Sequence, residues 1–172
     1  MANYCDCDLL IKGTVQAVEE FLANVRGNGE TFDFNQILPY PAHFQEADDR
    51  AELWKERNND LSTFEQAESP PKDGYNNGGW EWCKENWGSA GGIESRIVRR
   101  WADAETNSVE INFLSPWSAP EGLIQYASNK FPNLKFVLVY YEGGCGFHGI
   151  LECENGKILR DESADYFGSR GG

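Results

Sequence analysis

CDCDLLIKGTVQAVEEFLANV, residues Cys5 to Val25, changes its hydrophobic period midway, and that change decides how the rest of the chain is read. Cys5, Cys7, Leu9 and Ile11 fall on one face of an alternating run, with Asp6, Asp8 and Leu10 on the other, as in a half-buried strand. Gly13 and Thr14 end the alternation. Thr14 is a helix-capping residue type, and Val15, Val18, Leu22 and Val25 follow at helical spacing until Gly27-Asn28-Gly29 stops them.

Outward from this unit, Phe32-Asp33-Phe34 reads as a brief extended piece, and Pro39-Tyr40-Pro41 as a rigid exit from it. The chain then changes character. Residues 43–73 carry nine acidic and four basic residues, with helix-compatible composition around Ala51, Leu53, Trp54 and Lys55. Ser69-Pro70-Pro71-Lys72-Asp73-Gly74 breaks that helix, and a short second one is expected where Trp80, Cys83 and Trp87 share a face. Residues 39–92 are read as an acidic, Trp-rich, largely helical insertion into a single domain spanning 1–172.

Regular strands resume with 96–101 and 109–114, joined by the polar stretch Asp103 to Asn107. A helix is expected from Glu121 to Lys130 with Pro120 at its start, then a β-prone run from Leu134 to Tyr141. Residues 150–161 fold about Asn155-Gly156, a favoured two-residue hairpin turn, in a register that sets Glu154 opposite Lys157. With the insertion removed the order is βαββαβ, which predicts an α+β, ferredoxin-like antiparallel sheet with both helices on one face and a C-terminal β-hairpin.

Several segments together resemble a known family. They are Cys5 to Gly13, Phe32-Asp33-Phe34-Asn35 on to Pro39, Asn86-Trp87-Gly88-Ser89, Trp117-Ser118-Ala119-Pro120, Phe131-Pro132, and Tyr141-Glu142 followed by Gly146-Phe147-His148-Gly149. This set is similar to the YubB-like ferredoxin-like proteins of plasmids and bacteriophages. The family carries no assigned reaction, so the resemblance implies a fold and a mobile-element setting.

Charge narrows the partners. The 172 residues hold 15 Lys+Arg against 28 Asp+Glu, a net charge of −13, which opposes a nucleic-acid backbone or an anionic membrane as main partner. No apolar run approaches a bilayer span, and the five Cys suggest no disulfide framework, so a cytoplasmic setting is expected. The only clustered soft ligands are Cys5-x-Cys7 and Cys145-x-x-His148, which would complete a zinc tetrad only if the first and last strands were neighbours. Strand alternation favours a core role for Cys5 and Cys7, and the glycines around Cys145 favour a bulged turn, so neither metal nor cofactor is expected. A small Cys145/His148 enzyme is the alternative from another class.

A third reading is single-strand nucleic-acid binding through Arg96, Arg99, Arg100 and Trp101, though strict alternation places Arg99 opposite the other two arginines. The leading expectation is a non-enzymatic protein that binds a host protein with a basic surface. Asp48, Asp49, Glu52 and Glu56 supply the carboxylates, and Trp82, lying off the Trp80/Trp87 face, supplies an exposed anchor.

Overall fold

The computed structural model describes residues 3–58, 69–102 and 106–172. Residues 103–105 of the polar stretch, with Asp60, Glu65 and Glu68 of the acidic one, lie outside them. Strand β1 is Tyr4–Gly13, followed by helices α1 (Val15–Asn24), α2 (Phe34–Ile37) and α3 (Ala42–Asn58). A 3-10 turn at Tyr75–Asn77 leads into α4 (Gly79–Asn86), then come β2 (Ile93–Ala102), β3 (Asn107–Pro116) and α5 (Glu121–Lys130). Strands β4 (Lys135–Glu142), β5 (Phe147–Glu154) and β6 (Lys157–Asp165) complete the sheet. The chain divides into two compact units, residues 1–39 with 84–172, and residues 40–83.

All six strands form one antiparallel sheet in the order β2-β3-β1-β4-β5-β6. The first four in chain order stand 2-3-1-4, the split βαβ arrangement of a ferredoxin-like domain, and the β5–β6 hairpin extends it past β4. Thr14 caps α1 as its residue type predicts, accepting from the Ala17 N–H at 3.3 Å. Asn155 and Gly156 take φ of 50° and 74°, the left-handed pair of a type I′ turn, and Glu154 pairs with Lys157.

One face of the sheet is covered. Cys5, Cys7, Leu9 and Ile11 of β1 and Val109, Ile111 and Phe113 of β3 are fully buried. Phe21 of α1 meets Phe136 edge-on at 5.4 Å, and Phe32 and Phe34 both reach Phe113. The 32–34 segment forms no strand. Asp33 accepts from the Asn35 N–H at 3.0 Å and caps α2, so two phenylalanines two residues apart enter the core from a helix start.

Among the described residues of the unit that holds the sheet, the opposite face carries no helix. It displays Asp6, Asp8 and Leu10 of β1, Asn112 and Leu114 of β3, Val139 and Tyr141 of β4, and His148 and Ile150 of β5. On edge strand β2 the register slips between Ile97 and Arg99, leaving Val98 as the extra residue of a bulge. Arg96 therefore pairs with Asn112 and Arg99 with Glu110 on the open face, while Arg100, opposite Val109, turns to the helix face. The alternation expected from sequence is corrected: Arg99 joins Arg96, and Arg100 ion-pairs with Glu19 at 2.7 Å.

Candidate functional site

Helix α3 presents the acidic residues. Of its 17 residues only Ala51 is buried, and Asp49, Glu52 and Glu56 are exposed together with Arg50, Lys55, Arg57 and Leu53. Asp49 accepts from Gln45 one turn earlier at 2.8 Å. Asp48 is engaged inward, accepting from the Tyr40 hydroxyl at 3.2 Å and the Tyr75 N–H at 2.9 Å. Burial, reinforced by the Asp48 charge, pushes the Tyr40 phenol well above its ordinary value.

The same unit of residues 40–83 has a small aromatic core. Tyr40 stacks on Phe44 at 5.7 Å and takes the ring of Trp82 edge-on at 5.9 Å. The fit is close: a Cβ on Gly79 would stand 1.9 Å from the Tyr40 hydroxyl. Trp82 is therefore half-buried and is not the exposed anchor. The exposed tryptophan of α4 is Trp80, at 44%, whereas Trp87 is buried and donates its indole N–H to the Leu38 carbonyl at 2.9 Å. Helical spacing put Trp80 with Trp87, but the buried positions of α4 are Gly79 and Cys83, one turn apart, and Trp80 lies off that line.

The four soft ligands are not gathered. Strand β4 separates β1 from β5, and Cys5 and Cys7 lie on the covered face while His148 lies on the open one. Burial drives the Cys7 thiol well above its usual range and, with nearby carboxylate charge, pushes Cys83 and Cys153 up to about 11. Cys145 is exposed in the β4–β5 turn; its sulfur accepts from Asn3, and its N–H donates to the buried Glu142 carboxylate. The His148 ring contacts Tyr141 at 6.0 Å and Tyr166 at 5.7 Å, and those two rings also meet each other at 5.3 Å. Among the described residues no group of three or more His, Cys, Asp or Glu is set to hold a metal ion.

The densest polar arrangement was not singled out by sequence reasoning. Asp6 and Asp8, two residues apart on the open face of β1, both accept from the Asn112 amide, at 2.7 and 3.0 Å. Arg170 reaches them from the segment after β6. Its Nε and one terminal nitrogen donate to the two oxygens of Asp6 at 2.7 and 3.0 Å, and the other terminal nitrogen lies 2.7 Å from Asp8. The guanidinium also sits 4.5 Å from the centre of the Tyr141 ring. Burial works against charge on Asp6, yet Arg170, Asn112 and the Arg96 charge outweigh it and hold its carboxyl below the usual value. The alternation of Asp6 and Asp8 with the core cysteines marked the carboxylates as neighbours; no spacing marks a partner 164 residues away.

Among the described residues no helix is long and apolar enough to cross a membrane. Residues 99–169, less than half of the chain, match a family described as a ferredoxin-like domain in Api92-like protein. The fold is similar to the crystal structure of the protein Api92 from Yersinia pseudotuberculosis, with a TM-score of 0.55 over 98% of this chain and 99% of that one, at 13% identity. No curated protein matches the chain.

Proposed function

We propose that the protein is a non-enzymatic binding protein that engages a basic macromolecular surface through α3, with Trp80 as the aromatic contact beside it. The observation that carries this reading is a 17-residue helix that buries one residue and holds Asp49, Glu52 and Glu56 in solvent. A helix so weakly committed to its own core leaves a long charged face for a partner. The net charge of −13 adds a field that steers basic partners toward it. Asp48, tied to Tyr40 and Tyr75, holds the unit together and takes no part.

The resemblance to YubB-like proteins supplies the sharper form. The setting is the cytoplasm of a bacterium carrying a plasmid or phage, and the partner is the nucleic-acid-binding surface of a host defence nuclease, against which the carboxylates act as a partial phosphate mimic. Affinity purification of host factors with the wild-type chain, set against a variant carrying Asp49→Asn, Glu52→Gln and Glu56→Gln, tests it. A retained partner that elutes with salt and is lost with the triple variant is expected. A partner held equally by both chains refutes the reading.

A further inference from the structure

We propose that Asp6, Asp8, Asn112 and Tyr141 form a guanidinium-binding site for an arginine side chain of a basic polypeptide, and that Arg170 occupies it in cis. The site lies on the open sheet face and uses none of the α3 carboxylates, so it goes beyond the reading above and does not rest on it.

The occupant identifies the ligand chemistry. All three guanidinium nitrogens of Arg170 find a carboxylate oxygen, two of them in the side-on bidentate pairing with Asp6, and an aromatic ring lies against the guanidinium. This geometry uses the planar fork of arginine; a lysine ammonium carries its three donors on one nitrogen and cannot make the side-on pairing with both oxygens of Asp6 while also reaching Asp8. Two acidic side chains held side by side by one Asn112 amide repel each other, so the site requires a cation.

The cis occupant lies on a segment with no helix or strand of its own. Beyond Arg170, the segment from Tyr166 to Gly172 is anchored by the Tyr166 N–H on the Gly146 carbonyl at 2.7 Å, the Gly172 N–H on the Tyr4 carbonyl at 2.8 Å, and the Tyr166 ring against Tyr141 and His148. Phe167, its one large wholly apolar side chain, is 96% exposed and contributes no burial. Lifting the segment uncovers the Tyr141 and His148 rings. Beside them lies a groove of about 270 Å³ lined by Val139, His148, Ile150 and Ala164 and by the Arg160–Glu162 ion pair, room for the residues flanking an incoming arginine. A tethered arginine competes at high effective concentration, so wild-type affinity for an arginine in trans is lowered by the fraction of time the segment spends closed.

Titration calorimetry with a tri-arginine peptide, and tri-lysine as control, tests the assignment. Arg170→Ala should bind tri-arginine at least tenfold more tightly than the wild-type chain does, should prefer it to tri-lysine, and should lose the gain when Asp8→Asn is added. The gain should persist with Glu52→Gln and Glu56→Gln, so failure of the α3 reading does not carry over. A folded Arg170→Ala chain with no gain overturns the proposal, as does a gain that tri-lysine shares, that survives Asp8→Asn, or that disappears with the α3 variants. Should Arg170→Ala not fold, amide exchange on the wild-type chain decides: saturating tri-arginine speeds exchange at Tyr166 and Gly172 and tri-lysine does not, and unchanged rates overturn it.

Discussion

Trp82 and Trp80 sit two residues apart and differ in what their loss costs. Trp82 presses its ring on Tyr40, which stacks in turn on Phe44, while nearly half of Trp80 stands in solvent. Trp82→Ala should destabilise by about 2 kcal/mol, less than a fully buried tryptophan because the ring is only half-buried. Trp80→Ala should stay within about 0.5 kcal/mol, as surface substitutions do. Urea unfolding followed by far-ultraviolet circular dichroism checks both, and equal shifts of the two midpoints would contradict the packing described. Under the binding reading the order reverses, since only Trp80 is available to a partner.

At the scale of elements, the hairpin between β5 and β6 rests on a two-residue turn that needs φ above zero twice. Gly156 takes φ of 74°, and a Cβ there would also stand 3.0 Å from the Asn129 side-chain oxygen. Gly156→Ala should therefore lower stability by about 1 kcal/mol, read as a fall in the thermal midpoint. An unchanged midpoint would contradict the turn type. This turn, the α1 cap and the α5 boundaries were legible because each rests on residues within a few positions of one another. Strand β2 was not: one extra residue at Val98 reversed the face of everything after it, and a bulge in an edge strand leaves no mark in hydrophobic alternation when both faces are exposed. The α2 helix start was misread for a related reason, because two phenylalanines flanking one aspartate fit a strand or a capped turn equally well.

Across the whole molecule, the contact between Arg170 and Asp6 joins the segment after β6 to β1 and ties stability to pH. Asp6 binds its proton less tightly folded than unfolded, since its carboxyl is held below its ordinary 3.8. The stabilisation is therefore complete above about pH 4 and is lost as pH falls through the lowered value, when a protonated Asp6 no longer attracts Arg170. Protection of the Tyr166 and Gly172 amides, taken relative to their intrinsic exchange rate at each pH, should fall on acidification below about pH 4, and Asp6→Asn should leave it low at every pH. Protection that does not change with pH in the wild-type chain would show that the ion pair does not hold the segment. The acidic surface was legible because it lies on one continuous helix, while the arginine site was not, since it joins Asp6 and Asp8 to Asn112, Tyr141 and Arg170 from far along the chain.

The sequence by itself determined the ferredoxin-like order of elements, the single covered face and the acidic α3, because period, capping and turn chemistry act over a few residues at a time. Only the tertiary structure decided which tryptophan faces solvent, which arginines share a face and where Arg170 goes. Those depend on strand register, on one bulge and on the approach of segments more than a hundred residues apart, which no local pattern encodes.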